Sequence, residues 1–201
     1  MKIIPSDHSR MIDLPGVGPC PRPVDIDQSV TGFQRLKSLR IYRFQAGPPV
    51  HGDSEVDEVF ILPLSGTFDM AISGTHPLAA TVCAEGPTRA LYMTPRHSYL
   101  LSPQGPVTVA YARAKARGLM PSRALTALDG AGVAEHLRYQ LVTLAADQTL
   151  MPGWGGETLV HVAEGTLICS GQTIAAGQTV ALTQAVTLQA SGAARVLIIG
   201  V

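Results

Sequence analysis

An internal repeat is the feature of this sequence that most restricts its fold. Shifting the 201-residue chain by 99 residues places Glu58 on Glu157 and Gly66 on Gly165, so the interval from Glu to Gly is eight residues in both copies. The two intervals read Glu58-Val-Phe-Ile-Leu-Pro-Leu-Ser-Gly66 and Glu157-Thr-Leu-Val-His-Val-Ala-Glu-Gly165. A repeat of this length in a chain of this size predicts two small units of similar structure.

Each unit consists of short apolar runs separated by turn residues. The runs are rich in Val, Leu, Ile, Thr and Ala, and the chain has 20 glycines and 15 prolines to punctuate them. Many short strands with frequent turns are typical of a β-sandwich or barrel. Together with the repeat, this pattern predicts an all-β protein with two small barrels.

The domain limits follow from the repeat and from local composition. Pro15, Pro19, Pro21 and Pro23 each lack a backbone donor and restrict the preceding residue, so regular structure should be sparse near the start of the chain. A basic segment with Pro and Gly separates the copies, and its residues 122–128 and 133–138 are expected to form short helical turns. The predicted divisions are an N-terminal arm (1–30), a first barrel (31–116), a linker with helical turns (117–138) and a second barrel (139–201).

Composition excludes several functional classes. Fifteen basic and fifteen acidic residues balance, without the basic stripe expected of a nucleic-acid-binding protein. The first residues lack the apolar stretch of a signal peptide, and no run is long enough for a membrane span. Cys20, Cys83 and Cys169 are an odd number at unrelated spacings, so no disulfide framework is expected, and the predicted location is the cytoplasm.

The segment before the first apolar run is a candidate metal site. His51 and Asp53 lie two residues apart on a loop, and Glu58 begins the strand that follows, on the face it shares with Phe60. A His, an Asp and a Glu that converge in this way could hold a divalent metal. The alternative is an acidic, solvated loop before a buried strand.

This segment resembles the first motif of the cupin superfamily, in which Gly, His-x-His, Glu and Gly follow in order; here Asp53 stands at the second His. The stretch from Thr94 to Tyr99 resembles the second motif, Pro-x-Gly-x-x-His, with Arg96 at the Gly and Tyr99 at the His. The resemblance makes His97 a candidate fourth metal ligand, and it places Tyr99 and Arg96 at a substrate pocket. The alternative for His97 is a solvent-facing loop position.

Residues 33–116 are similar to the N-terminal half of the bicupin sugar-acid isomerases, 5-deoxy-glucuronate isomerase and 5-keto-4-deoxyuronate isomerase. The similarity is carried by the segment 58–66 and by Arg89-Ala-Leu-Tyr-Met-Thr-Pro-Arg-His-Ser-Tyr99 and Val107-Thr-Val-Ala-Tyr-Ala-Arg-Ala114. It implies two tandem cupin barrels (double-stranded β-helix, or jelly-roll), a metal-dependent aldose–ketose interconversion of a sugar acid, and a homodimer.

The chain departs from that family in its second barrel. The family binds its metal there through three His and one Glu, whereas position-by-position comparison leaves only Glu157. One carboxylate cannot hold zinc, which takes at least three protein ligands in catalytic sites. His161 is expected to be a hydrogen-bonded interior histidine. Any metal site is therefore expected in the first barrel, on His51, Asp53, Glu58 and His97.

Two classes of function remain open from the sequence. The first is an enzyme that uses a divalent metal (Zn, Mn, Fe or Ni) to polarise a carbonyl, with Glu55 or Asp57 as the base; the same ligands would also suit oxygenase chemistry. The second is a metal-free bicupin that binds a small molecule or acts as a regulatory or structural module.

Overall fold

The computed structural model describes residues 1–130, 132–152, 154 and 156–201 of the chain. It is built almost entirely of strands, as the sequence predicts. Within the described residues α1 is the single α-helix, one turn that begins after the N-cap Asp27. The predicted linker is described except at residue 131, and the second barrel except at 153 and 155.

The N-terminal segment is more regular than its prolines suggest, and the prediction of sparse structure there is wrong. Pro19 and Pro21 lie in a strand of a two-stranded hairpin, where a missing backbone donor is tolerated because the sheet has no central strand. The elements of this segment are β1 (Lys2–Ile4), β2 (Met11–Leu14), β3 (Gly18–Pro21), β4 (Val24–Asp27) and α1 (Gln28–Thr31).

The first barrel follows directly. Its strands are β5 (Leu36–Phe44), β6 (Val50–Asp53), β7 (Asp57–Ser65), β8 (Thr67–Ser73), β9 (Leu78–Cys83), β10 (Ala90–Met93), β11 (Ser98–Pro103) and β12 (Val107–Lys115). They form a large sheet in the order β10-β7-β12-β5, with β4 added beside β5, and a facing sheet in the order β6-β11-β8-β9.

The predicted linker contains a strand where helical turns were expected. β13 (Arg123–Leu125) pairs with β10 at the edge of the large sheet, because a short extended segment there satisfies an otherwise open edge. Residues 132–136 form turns and bends, and the strand β14 begins at Arg138. The prediction of short helical turns is therefore wrong for both segments.

The second barrel repeats the first. Its strands are β14 (Arg138–Leu144), β15 (Thr149–Leu150), β16 (Thr158–Glu164), β17 (Thr166–Cys169), β18 (Gln172–Ala175), β19 (Thr179–Leu182), β20 (Leu188–Ala190) and β21 (Ala194–Gly200). The large sheet has the order β19-β16-β21-β14, which matches β10-β7-β12-β5, and the facing sheet has the order β15-β20-β17-β18. The N-terminal strand β1 pairs with β19 and so joins the large sheet of the second barrel.

Three apolar cores hold these sheets together. One fills the first barrel, one fills the second, and the third lies between the two large sheets and contains residues of both barrels, among them Phe60, Leu62, Tyr139, Leu159 and Leu197. Strand β7 is buried on both faces, since alternate residues contribute to the first barrel's interior and to the core between the barrels. This arrangement decides where the candidate site residues point.

Candidate functional site

Glu58 faces the second barrel and not the interior of its own. Its carboxylate is fully buried and accepts hydrogen bonds from the backbone N–H groups of Glu135 (2.8 Å), His136 (2.8 Å) and Leu137 (2.6 Å). The hydroxyl of Tyr92 donates a fourth bond to Oε2, at 3.1 Å. Glu58 shares the β7 face of Phe60 and Leu62, as the sequence predicts, but that face packs in the core between the barrels.

Glu157 makes the same contact in the opposite direction. Its carboxylate accepts hydrogen bonds from the backbone N–H groups of Gln34, Arg35 and Leu36, which lead into β5 of the first barrel. Each barrel thus receives, on the segment that enters its first strand, a glutamate from the other. We call this pair of contacts the glutamate clasp. The two glutamates that the repeat shares therefore join the barrels, through hydrogen bonds that are mainly from backbone donors.

His51 and Asp53 of the predicted metal site lie in strand β6, not on a loop, and both are on the outside of the molecule. In β6, Val50 packs into the first barrel while the next residue, His51, is exposed. Asp53 is also exposed, and its Oδ1 accepts a hydrogen bond from the backbone N–H of Glu55. Neither side chain is directed at Glu58, which lies on the far side of the interior core.

His97 has no free nitrogen for a metal. Its Nε2 accepts a hydrogen bond from the backbone N–H of His76 at 2.9 Å, so the ring hydrogen must be on Nδ1, which donates to the carbonyl of Pro95 at 2.9 Å. The ring is buried and stacks against that of His76, with centroids 5.9 Å apart. The contacts explain His97 as a structural residue, and the solvent-facing position considered from the sequence is wrong.

The residues present therefore do not fit the metal that a cupin fold implies. The interior of the first barrel is filled by apolar side chains, including Val59, Ile61, Phe68, Met70 and Leu91. Across the part of the chain that the structure describes, no three His, Cys, Asp or Glu side chains converge as a metal site would require. The predicted ligand set of His51, Asp53, Glu58 and His97 is separated between the outer surface, the core between the barrels and a buried turn.

The predicted pocket residues Tyr99 and Arg96 also separate. Tyr99 packs against the interior core of the first barrel, with its ring centroid 6.0 Å from that of Tyr111, and burial raises its pKa to about 12. Arg96 is exposed on a turn with a positive φ of 64°. The position at which the cupin motif has glycine therefore keeps the left-handed backbone conformation but carries an arginine.

Glu55 and Asp57, the candidate bases, do meet in one cavity. It has a volume of about 320 Å³ and lies at the mouth of the first barrel, where Asp57 precedes Val59 on the interior face of β7 and Arg113 follows Tyr111 on the interior face of β12. We call this cavity the Asp57 pocket; it is lined by Asp27, Gln28, Ser29, Lys37, Ser38, Arg40, Glu55, Asp57 and Arg113.

Asp57 is the central group of this pocket. Its side chain is only 1% exposed, and the ammonium of Lys37 lies 3.0 Å from Oδ1 and 3.1 Å from Oδ2. The ammonium hydrogen-bonds to Oδ2, whereas Oδ1 has no hydrogen bond of good geometry among the described residues. The guanidinium of Arg113 is close, with Nη1 3.8 Å from Asp57 Oδ2 and 3.9 Å from Glu55 Oε2. The ammonium of Lys37 thus neutralises the buried Asp57 carboxylate, and this ion pair forms one wall of the cavity beside Arg113 and Glu55.

Sequence reasoning did not identify Lys37 and Arg113. No motif marks them, and they come together because β12 pairs with both β5 and β7, which places Arg113 opposite Ser38 on one side and Val59 on the other. Their proximity can be inferred only from the pairing register of these strands. An alternation of charged and apolar residues at the end of β12 would have suggested a polar barrel mouth once the pairing was known.

The comparisons with known proteins concern the fold. No protein-family model matches the sequence, and no curated protein does. The solved structure of bacterial pirin YhhW from Escherichia coli in complex with nickel(II) is similar, with a TM-score of 0.76 and 13% identity over 100% of this chain and 99% of that chain. Quercetin 2,3-dioxygenase from Acinetobacter baumannii gives a TM-score of 0.72 and 13% identity over 99% and 85% of the two chains. The structure of protein Ylba from Escherichia coli gives a TM-score of 0.76 and 10% identity, over 98% of this chain and 89% of that chain.

Structural similarity at such low sequence identity establishes the fold alone, and any chemistry has to be argued from the residues of this chain. The predicted fold is confirmed: the protein consists of two tandem cupin barrels. No helix in the described part of the chain is long and apolar enough to cross a membrane. The nickel belongs to the pirin structure. The chain therefore has the fold of a bicupin.

Proposed function

We propose that this bicupin binds a small polyhydroxylated molecule, a sugar or sugar acid, in the Asp57 pocket without the help of a metal. The observation that carries the proposal is a cavity of about 320 Å³ in which the buried Asp57–Lys37 ion pair lies beside the exposed Glu55 carboxylate and the Arg113 guanidinium. Ligand pockets of this kind usually have volumes of about 300–1,000 Å³.

The charges in the pocket support a ligand rich in hydroxyl groups. Three basic and three acidic side chains line it, so there is no large excess of either sign to select a highly charged ligand. A ligand hydroxyl can donate to the exposed carboxylate of Glu55 and accept from the guanidinium of Arg113 at the same time. Charge-assisted hydrogen bonds of this type are about twice as strong as neutral ones, and they fix the orientation of a sugar ring.

Isothermal titration calorimetry with D-glucose, D-glucuronate and D-galacturonate tests the proposal. We expect at least one of the three to bind the wild type, and Asp57→Asn and Arg113→Gln to weaken that binding at least tenfold. Asp13→Asn, which removes an exposed carboxylate on the β2–β3 hairpin, is the matched control and should bind as the wild type does. If no probe binds, or if both pocket variants bind normally while folded by circular dichroism, the proposal fails.

A second candidate is an aldose–ketose isomerase in the same pocket, favoured by the contact between Asp57 and Lys37. In this reaction Asp57 would move the proton of C2 of an open-chain sugar acid to C1, while the Lys37 ammonium gives a proton to the carbonyl oxygen on C1 and takes back the proton of the C2 hydroxyl, so that C1 becomes the alcohol and C2 the ketone. Exchange of the C2 proton of D-glucuronate for deuterium in D₂O, followed by proton NMR, distinguishes the candidates. Exchange that Asp57→Asn abolishes supports catalysis, whereas tight binding without exchange leaves a binding protein.

A further inference from the structure

A second cavity lies between the two barrels, away from the Asp57 pocket. It has a volume of about 370 Å³ and is formed where β5 and β12 of the first barrel approach β16 of the second, with the segment after β1 closing one side. The polar and charged side chains that line it are Ser6, His8, Arg43, Ser65, Thr108, His161 and Glu164.

His161 is buried in the wall of this cavity without a structural need. The side chain is 5% exposed, and its Nδ1 lies 3.0 Å from the hydroxyl of Thr179. Nε2 has no hydrogen-bonding partner among the described residues. In the first barrel the 99-residue offset places Leu62 at this position, so the fold is satisfied there by an apolar residue. Burial lowers the pKa of His161 to about 4, which makes the ring neutral at pH 7.

Arg43 supplies a positive charge that the protein does not neutralise. Its side chain is exposed on β5, and the described part of the chain places no carboxylate within ion-pair distance of its guanidinium. Glu164, the acidic residue of the cavity, lies 3.7 Å from Arg195 instead. Arg195 also donates to the carbonyl of Leu64 at 2.8 Å.

From these contacts we infer that the cavity between the barrels binds a small organic oxyanion, a short carboxylate that carries a hydroxyl or keto oxygen. The carboxylate pairs with the guanidinium of Arg43, the second oxygen bonds to Nε2 of His161, and the hydroxyl of Thr108 is within the same wall. The inference stands apart from the proposed sugar site, because it uses other residues and another cavity.

The inference is tested by calorimetric titration of the full chain at pH 7 with L-malate, pyruvate and inorganic phosphate. We expect L-malate or pyruvate to bind, and Arg43→Gln to raise the dissociation constant at least tenfold. Arg138→Gln is the matched control, since Arg138 is an exposed arginine on β14, the strand that corresponds to β5. It should change the constant less than twofold.

His161→Leu places in the second barrel the residue that the first barrel has at this position, and it should also weaken binding at least tenfold. If this variant does not fold, Arg43→Gln decides the matter, because Arg43 is exposed and its loss should leave the fold intact. Binding of phosphate as tight as that of the carboxylates, with the same dependence on Arg43, would assign the cavity to phosphate and overturn the carboxylate. Absence of binding by all three probes, or binding that Arg43→Gln leaves unchanged, would overturn the inference. Saturating D-glucose, which has no carboxylate, should not displace the anion, and this distinguishes binding in the cavity between the barrels from binding in the Asp57 pocket.

Discussion

The two barrels use one residue of the repeat for the same purpose but in different surroundings. Glu58 is fully buried and holds three backbone N–H groups and a tyrosine hydroxyl, whereas Glu157 is half-exposed and holds three backbone N–H groups. Elsewhere the barrels diverge: the first has Leu62 and a polar mouth around Asp57, and the second has His161. The shared glutamates maintain the junction between the barrels. The side chains that distinguish the two cavities, such as Asp57 and His161, stand at positions where the two copies differ.

The glutamate clasp gives the largest expected difference between the barrels. Glu58→Gln should lower the free energy of unfolding by about 4 kcal/mol, because an amide cannot satisfy four buried donors and leaves some unpaired. Glu157→Gln should cost about 1–2 kcal/mol, since water can reach the donors it leaves. Urea unfolding followed by circular dichroism measures both, with the exposed Glu164→Gln as control. Equal losses for the two glutamates would show that burial does not distinguish them.

The turn glycines should respond alike in the two barrels. Gly66 and Gly165 have φ values of 76° and 78°, and a Cβ atom would lie 2.4 Å from Pro106 O and 2.2 Å from Ala193 O. Replacing either with alanine should lower the free energy of unfolding by about 2–3 kcal/mol, from the left-handed backbone and the displaced carbonyl. Gly105→Ala, in open space with no positive φ, is the control. A difference above about 1 kcal/mol between the two variants would contradict the equivalence of these turns.

His161 should make the stability of the protein depend on pH in a way that the first barrel does not. Between pH 6.5 and about 4 the unfolded chain binds a proton at this residue while the folded chain does not, so stability falls as the pH falls through this range. The loss attributable to His161 is on the order of 3 kcal/mol at its full extent. Comparing urea midpoints of the wild type and His161→Leu at pH 7 and pH 4.5 isolates it. The prediction fails if both proteins lose the same stability.

Metal addition should have the smallest effect. Because His51, Asp53, Glu58 and His97 do not converge, nickel(II) or zinc(II) at stoichiometric concentration should leave the melting temperature of the wild type unchanged. Elemental analysis of protein purified without chelator, for the wild type and His51→Ala, provides the second measurement. Near-stoichiometric metal that is lost in His51→Ala would show that these side chains rearrange to form the site expected from the cupin motif.

Much of the fold could be predicted from periodicity and turn residues, and the repeat correctly indicated two barrels. The interior position of His161 was also predicted. The site was not, because Glu58 lies on a strand that is buried on both faces. Val59 and Ile61 are as apolar as Phe60 and Leu62, so the sequence cannot tell which set faces the barrel interior. A motif specifies spacing, and the direction of a side chain in such a strand depends on the partner packed against it.

The regular structure of the N-terminal arm and the grouping of residues in the Asp57 pocket were not predicted, for a related reason. Pro19 and Pro21 are compatible with a peripheral hairpin, but only the contacts of that hairpin with the first barrel show that it is ordered. Lys37, Asp57 and Arg113 lie on three different strands, and their meeting depends on register across the sheet. Long-range pairing of this type leaves no local pattern in the sequence.

The glutamate clasp and strand β1 also determine the order in which the chain can complete its structure during synthesis. Gln34–Leu36 cannot receive their carboxylate until Glu157 has left the ribosome, and β1 has no partner until Thr179–Ala181 have been made. Contacts across such long separations in sequence close late and slow folding. A nascent chain that stops after the first barrel would therefore expose an incomplete junction, and β1, although it precedes both barrels in the chain, is among the last strands to find its partner.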